Sequence, residues 1–167
     1  IGGKKEDKLH YAQSVLGKEV HVADIFKPGQ QITIHAVSKG KGLQGPIKRF
    51  GIGLKQHKSE KGVRRLGTLG AWKAQGHQLY RVAHAGQMGY HLRTELNKWL
   101  LKIDTNASTI NPKSGFPHYG TVKNPYLLVK GSIIGPPKRL IRLSISARSN
   151  SKMPQEAPLI QYINIQK

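Results

Sequence analysis

The chain is expected to adopt a mainly β fold with short helices, broken by a long irregular basic segment. Three observations point to this. Apolar residues recur with period two in β-rich runs separated by Pro and Gly. Helical spacing is confined to short stretches, and 11 of the 19 glycines fall between Gly40 and Gly89, where regular periodicity fades. A chain of 167 residues is long enough to bury a real core, and a single domain is the starting expectation.

The elements follow in order. Leu9, Ala12, Val15 and Leu16 recur at helical spacing and Gly17 stops the run, so Lys5 to Leu16 reads as a short amphipathic helix. A second short turn covers Val22 to Phe26 and ends at Lys27-Pro28-Gly29. Gln31 to Val37 alternates with period two and is expected to be a strand. Ser38 to His91 is then a long excursion, longer than compact domains usually tolerate without a function.

Thr94 to Leu101 is expected to close a short helix, with Thr94 as N-cap. Three strands follow, His118 to Val122, Tyr126 to Ser132 and Arg139 to Ser146, punctuated by Asn124-Pro125 and Gly135-Pro136-Pro137. Leu159 to Ile165 supplies a fourth, so residues 94–167 read as a β meander. Ala147 to Pro158 is a polar connector within the domain, and no internal repeat is visible.

Charge decides the class of partner. The chain has 28 Lys and Arg against 8 Asp and Glu, a formal charge of +20. A compact body so charged repels itself unless a polyanion shares its volume. A membrane is the weakest candidate, because no apolar run approaches the roughly 20 residues needed to span one. Ile1-Gly2-Gly3 leads straight into charged residues without an initiator Met, which reads as an internal start rather than a signal peptide. The absence of Cys excludes disulfide scaffolds, thiolate metal sites and thiol nucleophiles, and leaves the cytosol as the default compartment.

The cations are not evenly spread. Lys39 to Arg93 holds 12 of them and one acid, Glu60. Between Asp104 and Glu156 there is no acid at all, while Lys113, Lys123, Lys130, Lys138, Arg139, Arg142, Arg148 and Lys152 are present. A single basic run is often only a solvated face. Two regions without internal ion-pair partners instead call for phosphates. Phe50, His57, Trp72, Tyr80, Tyr90 and His91 lie among the arm's cations and can stack on unpaired bases, as RNA recognition commonly requires. Trp72 has small and polar neighbours that form neither a strand nor an apolar helix face, so it reads as a loop tip rather than core.

Other chemistries have weaker support. Lys39-Gly40-Lys41-Gly42 and Gly67-Thr68-Leu69-Gly70 can form backbone nests for phosphate, but the run lacks the spacing and ending of a nucleotide-binding P-loop. His77, His84 and His91 recur every seven residues, yet without HxxxH, HExxH or Cys they read as RNA-contacting or surface histidines, and no metal or cofactor is expected. Asp24, Glu95 and Asp104 are isolated in sequence, which is poor material for paired-acid catalysis. A histidine-dependent ribonuclease using His57, His84 or His91 is the enzymatic alternative, and a stand-alone RNA-binding regulator is the other.

Several long stretches resemble one known family. They are SKGKGLQGPIKRFG (Ser38 to Gly51), HKSEKGVRRLGTLGAW (His57 to Trp72), AGQMGYHLRTELNKWLLKI (Ala85 to Ile103) and INPKSGFPHYGTVKNPYLLVKGSIIGPPKRLIRL (Ile110 to Leu143). In order and spacing they are similar to the universal large-subunit ribosomal protein L-three family, in its archaeal rather than bacterial form. The resemblance implies a translation-protein-type β-barrel, here partial, completed by residues 94–167, with an irregular extension at 38–93 that penetrates large-subunit rRNA. It places Trp72 at the tip, near the peptidyl transferase centre and the corridor by which aminoacyl-tRNA enters. It also implies a cytoplasmic, ribosome-bound protein that acts early in assembly near the 3′ end of the rRNA, beside ribosomal protein L-fourteen, with no membrane and no small-molecule substrate. Family members are about twice as long, so an N-terminal part with early barrel strands is expected to be missing. Many continue past the tryptophan with His-Pro, where this chain has Lys73-Ala74-Gln75-Gly76.

The expected RNA contacts begin with Lys39, Lys41, Gln44, Lys48, Arg49 and Lys55. They continue through His57, Lys58, Lys61, Arg64, Arg65 and Trp72 to Arg81, Gln87, Tyr90, His91 and Arg93, with Lys138 and Arg139 from the C-terminal part.

Overall fold

The computed structural model describes residues 4–70 and 80–165. These form two compact units. Of the described residues, the first takes in 4–34, 94–133 and 140–165, and the second 35–70, 80–93 and 134–139.

The first unit is built on a four-stranded sheet. Its strands are β1 (Gln31–Val37), β4 (Leu92–Asp104), β5 (Tyr126–Val129) and β6 (Arg142–Ile145), in the order β5-β4-β1-β6. Residues 35–37 of β1 and 92–93 of β4 belong to the second unit. Phe26, Ile32, Ile34 and Leu100 form the core, and Ile103, Leu127, Val129, Ile141 and Leu143 pack against it. β1 is a strand where one was expected, but its first four residues are all buried, because it lies between two neighbours. Buried Gln31 is satisfied by exchanging two hydrogen bonds with the Asn150 backbone: its Nε2 donates to the carbonyl at 2.9 Å and its Oε1 accepts from the N–H at 2.8 Å.

The expected helix at Thr94 to Leu101 is instead part of β4, a 13-residue strand. Helix propensities differ by at most ~0.7 kcal/mol per ordinary residue, whereas burying one large apolar side chain contributes about 1.5 to 3 kcal/mol. As a strand, the segment seats Leu100 fully in the core. Its backbone also bonds to the turn before β1: Gly29 N–H donates to Leu100 at 2.7 Å, and Leu100 N–H donates to Gln30 at 3.0 Å. Trp99 Nε1 donates to the Gly29 carbonyl at 3.0 Å. Gly29 has φ +87°, and a Cβ there would stand 2.5 Å from the Gln155 carbonyl oxygen, so only glycine fits.

β4 is irregular in one instructive place. Residues three apart on a plain strand point to opposite faces, yet Lys98 Nζ lies 3.1 Å from Glu95 Oε2. Asn97, at φ +55°, supplies the extra twist that brings them together, and its Oδ1 accepts from Ser146 Oγ.

The helices are short. α1 (Lys5–Val15) is a helix as expected, but among the described residues none of its side chains is fully buried, and only Val15 is half-buried. α2 (Val22–Ile25) ends at the buried Phe26.

Other expectations are corrected. His118 to Val122 is no strand: Phe116 and Gly120 pair across a tight turn, with His118 at φ +61°. Leu159 to Ile165 is no strand either. The expected strands at 126–132 and 139–146 shrink to four residues each, and β6 lies beside β1 rather than beside β5. Pro and Gly mark these boundaries correctly, but strand partners are set by segments far apart in sequence.

Candidate nucleic-acid interface

The second unit carries most of the expected RNA-contacting residues, and its base is ordered rather than irregular throughout. The two ends of the excursion zip together. Ser38 N–H donates to the His91 carbonyl, Lys41 N–H to that of Met88 and Met88 N–H to that of Gly42, each at 2.9 Å. β2 (Leu43–Gln44) then pairs antiparallel with β3 (Gly86–Gln87). Ser38 Oγ also accepts from His91 N–H at 3.2 Å. Gly89, at φ +72°, is packed so tightly against Lys39 that any Cβ would collide with its carbonyl oxygen.

α3 (Pro46–Phe50) follows β2 for local reasons. Pro46 occupies its first turn and Gly51 ends it in the left-handed region at φ +68°. Lys48 and Arg49 fall in its last turn, where cations complement the carbonyl end of a helix. Arg49 is committed internally: Nε donates to the Gln87 carbonyl at 3.1 Å and Nη1 to that of His84 at 3.0 Å. Its guanidinium carbon lies 5.0 Å from the centre of the Phe50 ring. Gly86 makes room for it, since a Cβ there would come within 2.8 Å of that carbon.

The two glutamines also act locally. Gln44 Nε2 donates to the Lys41 carbonyl at 2.6 Å and Gln87 Nε2 to that of Gly89 at 3.2 Å, so each side chain braces a turn of the base.

Between the zipped ends lies a cleft of about 560 Å³. It gathers Lys39, Lys41, Arg49, Gln87, His91 and Arg93 from the expected set, together with Ser38, Phe50, Met88 and Gly89. Among the described residues no carboxylate lines it. Elsewhere in the unit Arg139 stacks on Tyr90, its guanidinium carbon 5.5 Å from the ring centre, while Nη1 donates to the Val37 carbonyl at 3.3 Å. Tyr90 (φ +55°) and Lys138 (φ +68°) both hold left-handed backbone conformations that are uncommon for such residues.

The remaining residues are not brought together. Lys55, His57, Lys58, Lys61, Arg64 and Arg65 follow one another through turns, closed by a bond from Lys55 N–H to the Val63 carbonyl at 3.2 Å. Arg81 Nε donates to the Tyr80 hydroxyl at 3.2 Å. Trp72, the expected tip, lies outside the described residues. Phe50 was legible as a stacking residue, but Ser38, Met88 and Gly89 carried no chemical signal in sequence; only the pairing of distant segments puts them in the cleft.

Electrostatics separates the two units. Among the described residues the ion pairs are Lys98 with Glu95 and Lys102 with Asp104, both on β4 in the first unit. None involves a cation of the second unit. Lys39, Lys41, Lys48, Arg64, Arg65, Arg81, Arg93 and Lys138 are exposed. Among the described residues no cluster of three His, Asp or Glu side chains is placed to hold a metal ion, and no helix is long and apolar enough to cross a membrane.

The chain is similar to large ribosomal subunit protein uL3 of Methanocorpusculum labreanum, at 44% identity over 99% of this chain and 50% of the relative. It is 48% identical to the protein of the same name from Methanosphaera stadtmanae, over 98% of this chain and 50% of that one. With that of Archaeoglobus fulgidus it shares 50% identity over 89% of this chain and 45% of the relative. It thus spans about half the length of the curated relatives it matches. Residues 1–166 match the profile of ribosomal protein L3, and the chain belongs to that family.

Proposed function

We propose that the chain is an rRNA-binding, non-catalytic structural part of the large ribosomal subunit. The observation that carries this reading is the second unit's exposed cations, which have no carboxylate partner among the described residues and surround an acid-free cleft. Phosphates are the partners that neutralise such a surface, and counterion release supplies the binding free energy. Family membership supports large-subunit rRNA as that partner, because the relatives are large-subunit ribosomal proteins.

In this reading residues 38–93 extend into large-subunit rRNA, and Trp72 sits at the tip near the peptidyl transferase centre. The sheet of the first unit is part of a translation-protein-type barrel. The protein joins early in assembly near the 3′ end of the rRNA, beside ribosomal protein L-fourteen, in cytoplasmic ribosomes. Its effect on peptide-bond formation is indirect, through the geometry of the RNA it holds.

The test is incorporation. A chain with Lys39, Lys41, Lys48, Arg64 and Arg65 each changed to Gln is expected to lose co-sedimentation with large subunits that the unaltered chain retains. A photo-crosslinking residue in place of Trp72 is expected to join to rRNA within intact subunits. Full co-sedimentation of the neutralised chain, or crosslinks to protein alone, overturns the proposal.

A further inference from the structure

We propose that the cleft at the base of the arm is a preformed receptor for one unpaired nucleotide, with the phosphate against Lys39, Lys41 and Arg93 and the base against Phe50 and His91. This deepens the rRNA-binding reading and rests on it.

Four features of the cleft lead to a nucleotide. Its walls are already assembled, because the bonds from Ser38 to His91, from Lys41 to Met88 and from Met88 to Gly42 hold both sides in place. A ligand therefore need not offset the entropy of ordering them. Among the described residues its lining has four cations and no acid; Arg49 is already engaged by two carbonyls, while Lys39, Lys41 and the donors of Arg93 other than Nη1, which is bonded to the Leu92 carbonyl at 3.1 Å, are left to meet an anion.

Its planar groups suit a base. The Phe50 ring has the Arg49 guanidinium over one face, yet the residue is 54% exposed, so surface remains for a second planar partner. His91 offers a further planar group on the same lining. Finally, about 560 Å³ lies within the range of pockets for single small ligands and is far too little for a duplex. An acidic peptide would use the cations but leave the aromatic ring idle, so unpaired nucleic acid is the better match.

Binding of the chain to an unpaired oligoadenylate, compared with a ribose-phosphate chain of equal length lacking bases, tests the proposal. The unaltered chain is expected to prefer the base-bearing strand by about tenfold, the scale of one stacked base. Phe50→Leu is expected to remove most of that preference while changing affinity for the abasic strand by less than about twofold, and Phe50→Trp to restore it. Lys39→Gln with Lys41→Gln is expected to weaken both strands alike. Because Phe50 also carries Arg49, amide exchange at Met88 is followed in each variant, and Phe50→Trp, which keeps an aromatic ring, decides if Phe50→Leu unzips the base.

Steeply salt-dependent binding with a base preference unmoved by either Phe50 variant overturns the receptor and leaves the general rRNA reading standing. Displacement of the oligoadenylate by polyglutamate at equal charge overturns it in favour of an acidic protein partner. Failure of the unaltered chain to bind either strand overturns both readings.

Discussion

Arg49 shows how one side chain departs from its sequence-level reading. In sequence it is one more cation in a basic run; in the fold its guanidinium joins α3 to the carbonyls of His84 and Gln87. The guanidinium presents Nε and Nη1 to the two carbonyls from separate points in a fixed plane, which the single ammonium of Lys does not reproduce. Arg49→Lys is expected to weaken the base of the arm by roughly 1 to 2 kcal/mol, the scale of a charge-assisted hydrogen bond. Faster amide exchange at Met88 and Lys41 is the readout, and unchanged protection would show that the clamp is dispensable. A second residue-scale test concerns pH. Lys102 Nζ lies 2.6 Å from Asp104 Oδ2. The hydrogen bond from Lys102, helped by the backbone N–H of Asn106, holds the Asp104 carboxyl below its ordinary 3.8, and the bond to Asp104 raises Lys102 above its ordinary 10.5. The depressed acid contributes stability that is complete above its ordinary value and vanishes as pH falls through the lowered one. The raised base contributes below its ordinary value, and that is lost as pH climbs through the higher one. The pair is therefore fully effective between these limits. Asp104→Asn should be less stable than the unaltered chain at neutral pH, and the gap should close in strong acid. A urea-unfolding series across that range checks this, and a gap independent of pH would rule the pair out as its source.

At the scale of elements, β4 carries the most information. Its sequence has a plausible N-cap and apolar residues near helical spacing, but the segment becomes a strand because both of its edges find partners in β1 and β5. Leu100 is fully buried at this junction, as Ile32 and Ile34 are in β1. Leu100→Ala is expected to cost about 2 to 5 kcal/mol, because the removed methyl groups leave a cavity at a fully buried position. Chemical denaturation followed by Trp99 fluorescence measures it, and a loss well under 1 kcal/mol would place the core elsewhere. α1 presents the opposite case. Its helical pattern is local and correct, yet none of its residues is fully buried and only Val15 is half-buried, so packing adds little to its internal hydrogen bonds. A helix of 11 residues without a packed face is marginal in water.

For the molecule as a whole, the question is how a chain of charge +20 distributes its repulsion. The first unit tolerates its cations partly through the β4 ion pairs and a hydrophobic core, while the second has neither carboxylate partners among its described cations nor a comparable core. RNA affinity is therefore expected to fall steeply with salt. With about six phosphate contacts it should drop on the order of a thousandfold between ~50 and ~200 mM salt. A filter-binding series with a large-subunit rRNA fragment tests this, and affinity flat across that interval would defeat the electrostatic basis of the interface.

What the sequence determined by itself is what adds up residue by residue. The surplus of positive charge, the glycine-rich arm, the β1 run and the family motifs all depend on composition and near neighbours, so they were legible without coordinates. What only the tertiary structure decided is which distant segments meet. It turned Thr94 to Leu101 from helix to strand, set β6 beside β1, zipped Ser38 to His91, and divided the expected cations into those that brace the backbone, such as Arg49 and Arg139, and those left open to a partner. The physical reason is that hydrogen bonds and buried contacts between segments some 50 residues apart outweigh local preferences worth tenths of a kcal/mol, and no local pattern records which partner a strand will find.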